Sequence, residues 1–201
     1  MSIDNPNTNT IKLILVGDTG TGKTNLISVT AGFGFNTNSL TTTSCSYIQK
    51  VYTKNGKEYK INLWDTIGQE KYRSLTKIFI KDSKIVIYAY DITNKDSFES
   101  LKYWKSIIDN ILGDDIITGV VGNKIDLYLN EQVEESEGRK YAEEIGAKFL
   151  LTSAKISPNE FSDFIGDLLD DYLSKNQFEI PRKESVSLRK RVEVKKNNKW
   201  C

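Results

Sequence analysis

An α/β fold, built on a mostly parallel sheet of about six strands flanked by helices, is predicted by three features of the sequence. Short apolar runs alternate with amphipathic stretches along most of the chain. One junction, Lys54-Asn55-Gly56-Lys57, carries the Asn-Gly pair of a tight β-hairpin. The later runs are separated by stretches long enough for crossover helices, which parallel strands require.

Taken in order, residues 11–16 are a compact apolar run ending at Gly17 and read as a buried strand. A helix is expected to open near Gly22. Residues 46–52 and 59–64 are the two arms of the hairpin. Residues 85–90, 116–121 and 148–151 supply the remaining strands. Phe98, Leu101, Trp104, Ile108 and Ile111 recur at helical spacing, as do Phe161, Phe164, Ile165, Leu168, Leu169 and Tyr172. No internal repeat is visible, and the periodicity stops after Leu173. The expected organisation is a short flexible N-terminus (1–10), one folded domain (11–173) and a polar tail (174–201).

A chain of 201 residues has room for one ordinary domain, and 38% apolar with 27% charged residues suits a soluble one. Its longest uncharged apolar run, 85–90, is far short of the ~20 residues of a membrane helix. The N-terminal ten residues lack the basic-then-apolar pattern of a secretory signal, and Ser2 in place of Gly removes N-myristoylation. The absence of histidine excludes Ser-His-Asp hydrolases, Cys-His proteases and His-ligated zinc enzymes. Two cysteines, Cys45 and Cys201, make no disulfide framework, so a cytoplasmic setting is expected. The net charge of +1 hides an asymmetry: residues 182–201 carry +6 and the rest carry −5.

Directly after the first strand stands Gly17-Asp18-Thr19-Gly20-Thr21-Gly22-Lys23-Thr24, which matches G-x-x-x-x-G-K-[ST]. Glycines let the backbone curl so that successive N–H groups aim at phosphate oxygens, and the following helix adds the positive end of its dipole. Asp18, Thr19, Gly20, Thr21 and Gly22 therefore form the cradle. Lys23 reaches the β- and γ-phosphates, and the Thr24 hydroxyl is a ligand for Mg²⁺. A plain surface Gly-Thr loop is the alternative, and the strand-to-helix position argues against it.

Two further segments address the base. Asn123-Lys124-Ile125-Asp126 follows the fifth strand and Ser153-Ala154-Lys155 the sixth, both at the carboxyl edge where open α/β sheets hold ligands. A carboxylate only accepts hydrogen bonds. Guanine offers adjacent N–H donors that Asp126 holds bidentately; adenine would leave that acceptor stranded. Lys124 and Lys155 are placed to lie along the flat faces of the base, with a backbone N–H near Ala154 for the guanine carbonyl.

These segments, together with Trp64-Asp65-Thr66-Ile67-Gly68-Gln69-Glu70, resemble those of small GTPases of the Ras superfamily, over residues 11–173. Within it, Tyr88-Ala89-Tyr90-Asp91-Ile92-Thr93 and Lys71-Tyr72-Arg73-Ser74-Leu75-Thr76 are most similar to the Rab group. The resemblance implies a P-loop nucleotide-hydrolase fold and a GTP/GDP-regulated switch in vesicle and membrane traffic. It implies slow Mg²⁺-dependent hydrolysis of GTP, with Lys23 and Gln69 as the catalytic pair and Gln69 orienting the water. Asp65 resembles the acidic residue that supports Mg²⁺ through its water shell, and Gly68 the residue whose N–H meets the γ-phosphate. A Thr nineteen residues after Lys23 would ligate the metal in the triphosphate state, which gives Thr42, flanked by Thr41 and Thr43. Phe35 falls where the family packs a ring against the base; a core Phe is the alternative. Effectors, exchange factors and activating proteins are implied as partners of a monomeric switch.

The departures are specific. Thr43-Ser44-Cys45-Ser46-Tyr47 replaces the usual Ile-Gly-x-Val-Asp-Phe type of segment, and Ser39 stands where an aromatic is common. Ile67 replaces a usual Ala, a stiff β-branched side chain beside the peptide that swings toward the γ-phosphate. Slower hydrolysis, or in the limit a guanine-nucleotide-binding scaffold with scarcely any, is the alternative this raises. The chain ends in one cysteine, Cys201, where Rab proteins usually carry two for geranylgeranyl groups. One prenyl lipid plus the basic tail would anchor the protein reversibly and peripherally on a cytosolic membrane face; a free thiol on a solvated tail is the alternative. Nucleic acid is not an expected partner, because no aromatic interleaving or groove-reading motif accompanies the basic residues.

Overall fold

The computed structural model describes residues 10–37, 46–66 and 78–177. Strands β1 (Thr10–Val16), β2 (Ser46–Lys54), β3 (Lys57–Asp65), β4 (Ile85–Asp91), β5 (Ile117–Asn123) and β6 (Lys148–Leu151) form one six-stranded sheet. Their order is β2-β3-β1-β4-β5-β6. Every neighbouring pair is parallel except the β2–β3 hairpin, as the sequence predicts. Asn55 and Gly56 turn that hairpin with φ of 51° and 72°, the left-handed pair that matches the twist of the arms.

Among the described residues the α-helices with defined bounds are α1 (Lys23–Thr30), α2 (Lys95–Glu99), α3 (Leu101–Leu112), α4 (Glu135–Glu144) and α5 (Glu160–Gln177), and a 3-10 helix spans Ile125–Asn130. Three details differ from the sequence reading. The helix expected around Phe98 to Ile111 is divided at Ser100, and Phe98 belongs to its short first part, which Asn94 caps by accepting the Ser97 N–H at 3.2 Å. Helix α4 buries a stripe at helical spacing, Gly138, Tyr141 and Ala142, of which only Tyr141 is a large apolar residue. It is started by the Glu137 carboxylate, which accepts the Glu134 N–H at 3.2 Å. Helix α5 runs past the end of its apolar pattern to Gln177, with Lys175 paired to Asp115 at 2.6 Å.

The alternation of β4 divides the core. Ile85 and Ile87 face one side of the sheet, and Val86, Tyr88 and Tyr90 face the other. Leu26 of α1 and Phe161, Ile165 and Leu168 of α5 cover the first side. Leu101, Trp104 and Ile108 of α3, with Tyr141 of α4, cover the second. Each fully buried Leu or Ile contributes about 1.5–3 kcal/mol, and β4 is buried at every residue. With helices on both faces, the carboxyl ends of five parallel strands are left open along one edge. The segments after β1, β3, β5 and β6 meet there.

Candidate nucleotide-binding site

The edge holds a cavity of about 420 Å³. One end is lined by Thr19, Gly20, Gly22, Lys23 and Thr24, and the other by Lys124, Asp126, Ser153, Ala154 and Lys155. The loop and base segments recognised in the sequence, up to 138 residues apart, thus line a single space.

Two glycines of the loop are required by contact. A Cβ on Gly17 would stand 2.1 Å from the Ala89 carbonyl oxygen on β4. Gly22 has φ of +90°, and a Cβ there would meet Asn123 Nδ2 at 2.3 Å. Lys23 opens α1 and is buried; its Nζ donates to the carbonyls of Gly17 at 2.8 Å and Asp18 at 2.7 Å. Burial pushes its pKa down to about 8, against the opposing pull of Asp65 and Asp18. An ammonium held at such a cost is suited to a polyanion.

Beside it the Thr24 hydroxyl donates to Asp65 Oδ2 at 2.8 Å. A hydroxyl and a carboxylate at the phosphate end are hard oxygen donors, the set Mg²⁺ selects, so the residues fit that ion. Thr66, to which the sequence assigned no role, lines the cavity and donates its hydroxyl to the Leu15 carbonyl at 2.5 Å. That bond fixes the backbone immediately before residue 67.

Asn123 is the clamp of the site. Its Nδ2 donates to the Thr21 carbonyl at 2.9 Å, and its Oδ1 accepts the Ala154 N–H at 3.2 Å. One buried amide therefore joins the phosphate loop to both base segments, and it engages the Ala154 N–H. The Asp126 carboxylate accepts the Ser153 hydroxyl at 2.6 Å and has Lys155 Nζ at 3.6 Å. Lys124, in the left-handed region with φ of 73°, extends to Asp91 Oδ2 at 2.6 Å. Asp91 Oδ1 in turn accepts the Thr93 N–H at 2.9 Å and its hydroxyl at 2.8 Å. Asp91 and Thr93 thus orient Lys124, a role that the sequence alone does not assign them. An acidic residue closing a wholly apolar strand was the signal for them.

Phe35 lines the cavity at 39% exposure and is not a core residue. Asp18 and Thr21 shape the loop through their carbonyls and lie outside the cavity wall. Thr42, Gly68, Gln69 and Cys201, with Ile67, lie outside the described residues.

A glycine-rich turn over a buried lysine stands at one end of the cavity, and an acidic hydrogen-bond acceptor with flanking lysines at the other, the arrangement of a P-loop fold. Residues 12–171 match the model of the Ras family, and the chain belongs to that family. It is 39% identical to the Ras-related protein Rab-21 of Geodia cydonium over 146 residues, 73% of this chain and 64% of that protein. It is 40% identical to human Rab-21 over 144 residues, 72% and 64% of the two chains. With Rab-2B of Dictyostelium discoideum it shares 39% over 148 residues, 74% and 73%. The matched region thus spans slightly under two thirds of the length of the Rab-21 relatives named.

Proposed function

We propose that this chain is a Rab-like guanine-nucleotide switch of vesicle and membrane traffic that binds GTP and GDP and hydrolyses GTP slowly. The observation that carries the reading is the single cavity with Lys23 at its phosphate end and Asp126 at its base end. Thr24 and Asp65 would hold Mg²⁺, which when bound neutralises charge on the phosphate oxygens. Lys23 supplies the fixed positive charge, Asn123 keeps the two ends in register, and Gln69 orients the attacking water. Thr42 and Gly68 act on the γ-phosphate, so that the segments bearing them are ordered by GTP and released on hydrolysis. No histidine serves as base, so catalysis rests on positioning and charge. Turnover on the order of 10⁻⁴ to 10⁻² s⁻¹ is expected. Purified protein should retain guanine and not adenine nucleotide, and Gln69→Leu should lower phosphate release at least tenfold. Retention of ATP in a competition assay would remove the reading. Guanine binding with no turnover in the wild type would leave the scaffold.

An aromatic surface supports partner binding. Tyr47, 52% exposed, stacks on Trp64 at 4.9 Å, and Phe79 lies 6.0 Å from Trp64. In sequence Tyr47 comes five residues after Thr42 and Phe79 ten after Gln69. Effectors that read the nucleotide dock there, and the switch works as a monomer.

No described helix is long and apolar enough to cross a membrane. Peripheral anchorage on a cytosolic membrane face rests on Cys201 and on the +6 of residues 182–201, each basic residue adding about 1 kcal/mol near an anionic leaflet. Cys201→Ser should move the protein from the membrane fraction to the supernatant; unchanged partitioning would overturn the anchor.

A further inference from the structure

Asp18 puts a carboxylate into the loop that receives a polyphosphate, where an unrestrained negative charge would oppose the ligand. In the structure that charge is turned away. Thr19, Gly20 and Gly22 line the cavity and Asp18 does not. Its Oδ1 accepts the indole N–H of Trp104 at 2.9 Å. Trp104 sits on α3, 3% exposed, in the cluster that contains Val16, Tyr88, Leu101 and Ile108. An indole has one polar atom, a donor, and a buried donor requires an acceptor. Each partner therefore fixes the other. The same residue's carbonyl accepts Lys23 Nζ at 2.7 Å and the Thr21 hydroxyl at 3.0 Å. Holding the Asp18 side chain thus holds the peptide that aims Lys23.

We propose that Trp104 is a positioning residue for the phosphate site: from α3 it keeps the Asp18 carboxylate out of the cavity and sets the curvature of the loop around Lys23. The proposal rests on the guanine-nucleotide function given above. It ties nucleotide retention to a helix that contributes nothing to the cavity wall. Packing alone does not require the N–H, since the ring without it would fill the same space. What the N–H adds is control of a charge.

The test is the rate at which the GDP-loaded full-length protein releases GDP into excess unlabelled nucleotide. Trp104→Phe keeps an aromatic ring and removes the donor, and is expected to release GDP about tenfold faster, equivalent to about 1.4 kcal/mol. Adding Asp18→Asn to that variant removes the stray charge and should recover most of the lost retention. A merely structural tryptophan would show no such recovery. If Phe leaves a cavity that unfolds the protein, benzothienylalanine at position 104 serves instead, with sulfur in place of the N–H in a ring of the same shape. Release from a folded variant within twofold of wild type, or fast release that Asp18→Asn fails to recover, overturns the proposal and leaves the function standing. A wild type that retains no guanine nucleotide overturns both.

Discussion

Asp126→Asn is expected to exchange the base preference of the site. Affinity for GDP should fall about 10²- to 10³-fold, and xanthosine diphosphate should become the better ligand. The carboxylate has acceptors only, and guanine presents two adjacent N–H donors to it. An Asn keeps one acceptor and turns the other position into a donor. That donor faces the 2-amino group of guanine, donor against donor, but pairs with the 2-carbonyl of xanthine. Cutting back one partner of a desolvated charge-assisted pair costs 2–5 kcal/mol, which sets the size of the loss. The framework should survive the change, because the Ser153 hydroxyl, 2.6 Å from Oδ1, finds an amide oxygen in the same place. Titration calorimetry with both diphosphates measures it. Undiminished GDP affinity, or loss of both nucleotides alike, would show that Asp126 does not read the base.

Much of this site was legible because its parts are local. The phosphate loop is one run of eight residues whose geometry depends on its own glycines, and the base segments stand at strand ends that short apolar runs mark clearly. The hairpin was legible for the same reason, as Asn55-Gly56 fixes its own turn. What the sequence did not disclose depends on strand order. Asn123 reaches Thr21, 102 positions away, because the β1 and β5 ends share an edge across β4. Asp91 meets Lys124 because its register partner is Asn123. Trp104 meets Asp18, 86 positions away, because α3 packs on the face beside β1. No spacing rule along the chain announces such pairs. Helix α4 is hard to read for another reason: its buried face is Gly138, Tyr141 and Ala142, so the stripe at helical spacing holds one large side chain among many charged ones. The sequence leaves Phe35 open between core and cavity wall, since an aromatic after Gly34 suits either, and only its 39% exposure rules out the core.

Lys23→Met is expected to lower GDP affinity at pH 7 at least 10²-fold and to abolish the pH dependence that wild type should show. The sign follows from burial. In the nucleotide-free protein desolvation holds the Lys23 pKa near 8, below its ordinary 10.5, so the ammonium is present at pH 7 and increasingly lost above 8. Phosphates favour the charged form and raise the pKa of the complex. Binding near and above pH 8 therefore takes up a proton, and affinity should fall about fivefold from pH 8 to pH 9 and only about twofold from pH 7 to pH 8. Folding of the empty protein runs the other way. Its unfolded chain binds more protons between pH 8 and 10.5, so the cost of the buried charge is relieved and stability from this group rises with pH across that window. A methionine of similar length carries no charge to lose, so its affinity should be low and flat. The same slope in the variant would assign the titration to another group. A flat wild type from pH 7 to 9 would mean that the ammonium keeps its proton in the empty site, and that the Gly17 and Asp18 carbonyls, at 2.8 and 2.7 Å, already offset its burial.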